Sequence, residues 1–207
     1  TVKHLAGSGI EALKYFTFGS FDCLGGNHII SRTGYTGELG FELYIDAEKS
    51  VEAWQKLLSL ENVKPAGLGS RDILRLEMGY PLYGDELTEE ITLIEAGMEK
   101  FIDWEKDFHG KQALMAVKNS GCSRVLCGFT VEGRRTPRHE NKILLNGQEC
   151  GFVTSGVFSP HLNKGIGMGY IEITAGIEGA VVEIDTGRGA IKAVIENPPF
   201  VKNTSIR

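Results

Sequence analysis

From residue 124 onward the chain breaks into six short apolar runs, each closed by a turn signal, and this pattern constrains the fold more than any other feature. The runs are Val125 to Val131, Lys142 to Leu145, Gln148 to Val153, Gly167 to Ile173, Ala180 to Ile184 and Ala190 to Ile195. Between them stand Asn146-Gly147, Gly165, Gly176, Gly179 and Gly187-Arg-Gly189. An Asn-Gly pair between apolar runs reads as a tight hairpin, because both central positions of the favoured turn need positive φ. Six short strands without intervening helices make a small antiparallel barrel or sandwich.

Upstream the texture is mixed. Ser8 is placed to cap a short helix carrying Ile10 and Leu13. Phe16-Thr-Phe18, Asn27-His-Ile-Ile30 and Leu39 to Ile45 read as three strands. In the third, Phe41, Leu43 and Ile45 point one way while Glu42 and Tyr44 point the other. Asp46 is a candidate N-cap for a helix built on Val51, Trp54, Leu57 and Leu58 at helical spacing. A second helix runs from Gly69 and closes at Gly79. Ile94 to Trp104 fits helix or strand, and Lys111 to Lys118 reads as a helix broken at Gly121. Strands alternating with helices predict an α+β layer, and the change of texture sets a domain boundary near residue 120, giving domains 1–120 and 121–207.

The chain's 207 residues suffice for two ordinary domains with real cores. A net charge of −5 gives no electrostatic reason to expect nucleic acid or an anionic membrane. No apolar run approaches the roughly 18 residues of a membrane-spanning helix. The four cysteines form no C-x-x-C and the five histidines no H-x-x-x-H, so no metal site is expected. Isolated thiols suit a reducing compartment and make a cytoplasmic location the expectation. The opening residues read as the middle of a longer chain.

Two stretches offer chemistry. In Ser31-Arg-Thr-Gly-Tyr-Thr-Gly-Glu-Leu-Gly-Phe-Glu42, Gly34 and Gly37 permit positive φ or a close backbone approach, and Glu42 follows on a polar strand face. In Gly69-Ser-Arg-Asp-Ile-Leu-Arg-Leu-Glu77, Arg71 lies in the first turn of its helix, where the macrodipole disfavours a cation, while Asp72 is favourable there and is spaced to pair with Arg75. A carboxylate accepts two parallel N–H bonds, from a guanidinium or from the edge of an amidine-like heterocycle. Glu42 and Arg71 therefore either pair with each other, stand solvated, or hold a ligand. Tyr35, Tyr80 and Tyr83 could wall an aromatic ligand or serve as core residues. Arg134, Arg135 and Arg138 form a basic knot that is either a solvated loop or a contact for acidic groups. Thr154 to Pro160 is rich in hydroxyls but lacks the G-x-S-x-G of a serine nucleophile.

Taken in order, Ser31 to Glu42, Ala66-Gly-Leu-Gly-Ser-Arg-Asp-Ile-Leu-Arg-Leu-Glu77, Pro81-Leu-Tyr-Gly84, Gly151-Phe-Val-Thr-Ser-Gly-Val-Phe-Ser-Pro160, Lys164-Gly-Ile-Gly-Met-Gly-Tyr170 and Pro199-Phe200 resemble the aminomethyltransferase (T-protein) family of the glycine cleavage system, in its C-terminal portion. The resemblance implies an α+β fold: part of a folate-binding aminomethyltransferase-like domain, then a small antiparallel β-barrel. It implies tetrahydrofolate as cofactor and the lipoylated carrier (H) protein as partner. The implied reaction moves a methylene unit from the aminomethyl-lipoyl arm to tetrahydrofolate and releases ammonia. On this mapping Glu42 is the pterin carboxylate, Arg71 a ligand-binding arginine, and Tyr35 and Tyr80 line the pocket. Lys202 stands where the family often has a folate-reaching arginine, and a lysine there acts as a point charge without the bidentate fork. Leu39 replaces the usual aspartate of the loop. The family's catalytic aspartate belongs to a preceding portion, so no residue of this chain takes that role. Folate-dependent demethylases share the pattern and give the alternative activity. A folate-binding homologue without turnover is the alternative of another class.

Overall fold

The computed structural model describes residues 1–206, which divide into two compact units: Thr1–Leu74 with the segment from Asn203, and Arg75–Lys202. The fold is α+β, with a six-stranded antiparallel barrel in its C-terminal part.

The first unit carries a three-stranded antiparallel sheet in the order β1-β2-β3, with β1 at Phe18–Cys23, β2 at Gly26–Ser31 and β3 at Glu42–Tyr44. Its core joins Ile10, Cys23, Leu24, Ile30 and Ala53 with Phe41, Leu43 and Ile45. The alternation read from residues 41–45 is realised, since those three side chains pack inward while Glu42 and Tyr44 are exposed. Helix α1 is Lys3–Ala6 and α2 is Ser50–Leu58.

Local punctuation differs from expectation in three places. Ser8 is itself the first residue of a 3₁₀ turn, Ser8–Ala12, rather than the cap of a helix, and Gly7 holds the cap position without a side-chain bond. Asp46 precedes a 3₁₀ turn, Ala47–Lys49, without a side-chain capping bond. Phe16 sits at φ 62 in a turn, so the first strand begins only at Phe18.

The division between units falls within α3, Leu68–Glu77. That helix ends as the sequence predicts: Gly79 N–H reaches the Leu76 carbonyl at 2.9 Å and Tyr80 N–H the Arg75 carbonyl at 2.9 Å. Residues 94–104, ambiguous in sequence, form turns and one 3₁₀ segment, Glu99–Phe101. Helix α4 is Lys111–Ser120. No helix among the described residues is long and apolar enough to cross a membrane.

The barrel of the second unit closes in the order β4-β7-β6-β5-β8-β9, with β4 pairing β9. Its strands are β4 Arg124–Val131, β5 Lys142–Leu145, β6 Gln148–Ser159, β7 Lys164–Glu172, β8 Val181–Asp185 and β9 Ala190–Ile195. Closure removes the unpaired edges that short strands would otherwise expose. Inward residues such as Phe129, Val131, Ile143, Val153, Ile184 and Ile195 fill the interior. Strand β7 is buried on both faces: Ile171 faces the barrel core, while Ile166 and Met168 pack with Leu76 and Phe200 on the other side. Its alternating glycines make room for neighbours. A Cβ on Gly167 would stand 2.3 Å from the Phe129 ring.

The β5–β6 hairpin turns at Asn146 (φ 53) and Gly147 (φ 80), both left-handed as the dipeptide predicts. Gly147→Ala is expected to cost about 1–2 kcal/mol, the steric cost of a Cβ in that region. Urea unfolding should show a lower midpoint with an unchanged m-value.

Candidate functional site

The Ser31–Glu42 stretch leaves β2, turns through its glycines and returns as β3, with Ser31 paired directly opposite Glu42. Opposed residues in an antiparallel ladder share a face, which brings Glu42 next to the hydroxyls at the end of β2. The Thr33 hydroxyl donates to Glu42 Oε2, and Ser31 Oγ lies 2.5 Å from Thr33 Oγ1. Thr33 has one proton and gives it to the carboxylate, so Ser31 must be the donor to Thr33. The relay fixes the Glu42 carboxylate in one orientation. Glu42 Oε1 is without a hydrogen-bond partner among the described residues, and the side chain is exposed on β3, an edge strand.

Tyr35 projects from the same turn and meets Arg71, whose guanidinium carbon lies 5.0 Å from the ring centroid. This answers why a cation sits in the first turn of α3: the ring quadrupole attracts it by about 0.5–1 kcal/mol at an exposed site, similar to the unfavourable dipole effect. Among the described residues no ion pair joins Glu42 to Arg71, so the reading in which the two simply neutralise each other does not apply. Arg32 makes a second such contact, 4.1 Å over the Phe41 ring. Gly37 takes φ 79 at the corner of the turn, while Gly34 stays outside the left-handed region.

Tyr80 and Lys202 belong to the second unit. Tyr80 is half-buried, and its carbonyl accepts from Arg75 Nη1 at 3.2 Å. Lys202 is exposed at that unit's end. The basic knot has local partners: Arg134 lies 5.1 Å over the Phe158 ring and Arg135 donates to Thr186 Oγ1 at 3.3 Å.

Sequence reasoning missed Thr33 and Ser31 as supports of Glu42, although strand register from the 41–45 alternation could have found Ser31. It also missed a buried ion pair. Arg75, 1% exposed, donates to Glu86 at 2.8 Å and to Ser155 Oγ at 2.8 Å, and Glu86 is 0% exposed. No local pattern links residues 75, 86 and 155. The Glu95 carboxyl shows a related balance. Burial pushes it up, but bonds from the Thr92 amide and hydroxyl and from Arg124 outweigh that and hold it below the usual range.

Comparison with known proteins supplies the family. Residues 2–106 match the GCVT N-terminal domain, and residues 124–202 match the glycine cleavage T-protein C-terminal barrel domain. An aminomethyltransferase of Thermosipho melanesiensis is 43% identical over 205 residues, covering 99% of this chain and 56% of that protein. One from Aquifex aeolicus is 42% identical, covering 96% of this chain and 54% of its own length. The crystal structure of the glycine cleavage system aminomethyltransferase T from Bartonella henselae superposes with a TM-score of 0.87 at 31% identity, covering 92% of this chain and 54% of that one. The chain thus spans little more than half the length of the relatives it matches.

Proposed function

Because the chain belongs to the glycine cleavage T-protein family, we propose that it carries the folate-recognition part of a tetrahydrofolate-dependent aminomethyltransferase. The observation that carries this reading is the Ser31–Thr33–Glu42 relay, which presents an oriented, exposed carboxylate beside a glycine turn. A pterin offers N3–H and a 2-amino group as a two-donor edge, and a carboxylate accepts both. Glu42 would hold that edge. Tyr35, backed by Arg71, would supply a flat wall. For Tyr80 and Lys202, which belong to the second unit, the family resemblance alone supports a folate-binding role, with Lys202 suited to an anionic group.

When bound, tetrahydrofolate would supply the two nitrogens that take up the methylene carbon. The carbon would come from the sulfur of an aminomethyl-lipoyl arm on a carrier protein, and the two N–H protons given up by those nitrogens would balance the departing ammonia and the thiol left on the arm. This chain's residues bind and orient, and none of them is assigned the acid–base role. The test is donor choice by the full-length protein. With tetrahydrofolate and aminomethylated carrier, ammonia and methylenetetrahydrofolate should appear in equal amounts. Turnover only with a methylated amine or methylated sulfur donor would move the protein to the folate-dependent demethylases. Folate binding without turnover on any donor would make it a binding module.

A further inference from the structure

The corner of the glycine turn is tied down by a segment far away in sequence. Ser205 N–H donates to Glu38 Oε2 at 3.1 Å, and the Ser205 hydroxyl donates to the same oxygen. In return, Leu39 N–H donates to Ser205 Oγ at 2.7 Å. The hydroxyl thus gives its one proton and accepts one, and every donor in the triangle is used. All three residues belong to the first unit, although some 166 positions separate Ser205 from Leu39. Inside the corner a weaker tie runs from Glu38 N–H to Thr36 Oγ1 at 3.3 Å. The Glu38 carboxyl is held below its usual range by the Ser205 hydroxyl and then by the Ser205 amide, so it stays ionised and able to accept both bonds.

The placement of this clamp matters more than its surface-exposed energy. Tyr35 lies just before the tied corner at 36–39 and Glu42 just after it. A turn fixed only at its two ends, with Gly34, Gly37 and Gly40 inside it, keeps many conformations, and a ligand that needs one of them must first select it. We propose that Ser205 is a positioning residue for folate, fixing the 36–39 corner so that Tyr35 and Glu42 keep the separation the pterin requires. This deepens the folate reading above and rests on it. It also gives a physical place to Leu39, which enters the clamp through its backbone N–H, a contact that does not depend on the side chain.

The experiment compares the full-length protein with its Ser205→Ala, Ser205→Thr and Glu42→Ala variants, measuring tetrahydrofolate affinity by calorimetry, amide exchange across 36–40, and thermal midpoint. Ser205→Ala should bind about 3- to 10-fold more weakly, the cost of ordering a loop that was ordered before. The Leu39 amide should exchange faster, with the thermal midpoint nearly unchanged. Ser205→Thr restores the hydroxyl and should recover both affinity and protection, which a merely space-filling serine would not require. Wild-type affinity in Ser205→Ala together with a loss in Glu42→Ala overturns the clamp and leaves the folate reading standing. Wild-type affinity in both variants removes the folate reading, and the clamp's role with it.

Discussion

Glu86→Ala is expected to destabilise the second unit by about 3–5 kcal/mol, the range for removing one partner from a buried ion pair. Glu86 is 0% exposed and its carboxylate serves three donors: Arg75 Nη1 at 2.8 Å, Leu82 N–H at 2.9 Å and the Thr154 hydroxyl at 2.6 Å. Truncation leaves the Arg75 guanidinium buried and without its 2.8 Å carboxylate partner, with Asp85 Oδ2 as an acidic neighbour at the longer distance of 3.7 Å. The pair is reached through a bulge in β6. Register slips between Val153 and Ser155, so two consecutive hydroxyls, Thr154 and Ser155, both meet the pair. In a regular strand they would face opposite ways.

Exchanging both charges for apolar groups, Arg75→Met with Glu86→Leu, should recover part of the loss and not all of it. In many proteins such a swap is neutral. Here the pair also satisfies Leu82 N–H, and a buried polar group left unpaired costs about 1–3 kcal/mol. Urea unfolding of wild type, single and double variants checks this. A single-variant cost below about 1 kcal/mol would mean that water replaces Glu86 in this interior.

The same network shows what the sequence could and could not disclose. The barrel was legible because its signals are local: alternation such as Val182, Ile184 and Ile191, Ala193, Ile195, and a turn dipeptide that demands positive φ. The exposed position of Glu42 was legible for the same reason. Strand β6 was not read to its end, since hydroxyls at Thr154, Ser155 and Ser159 break the apolar run. Those hydroxyls are buried because they answer Glu86, Arg75 and Glu77, the last receiving the Ser159 hydroxyl at 2.5 Å. Arg75 read as one more charge on an amphipathic helix, paired at most with Asp72. Its burial depends on residues 11 and 80 positions away, which no periodicity encodes. The Ser205 clamp is hidden more deeply still, because one serine near a chain end carries no pattern at all.

Glu42→Ala in the full-length protein is expected to weaken tetrahydrofolate binding by about 1.5–3 kcal/mol, roughly ten- to a hundredfold. The alanine removes a charged acceptor from a two-donor edge while leaving the fold intact, because Glu42 is exposed and the core side of β3 is carried by Phe41, Leu43 and Ile45. Thermal unfolding should therefore move little. Glu42→Gln separates charge from shape: the amide keeps one acceptor but turns an N–H toward a donor edge, so it should bind no better than alanine. Thr33→Val tests the relay behind the carboxylate. It keeps the volume, removes the bond to Oε2 and strands the Ser31 hydroxyl, so affinity should fall by a smaller factor, about 3- to 10-fold. An ordering in which Thr33→Val equals or exceeds Glu42→Ala would show that folate does not use the carboxylate, and that the hydroxyls bind it instead.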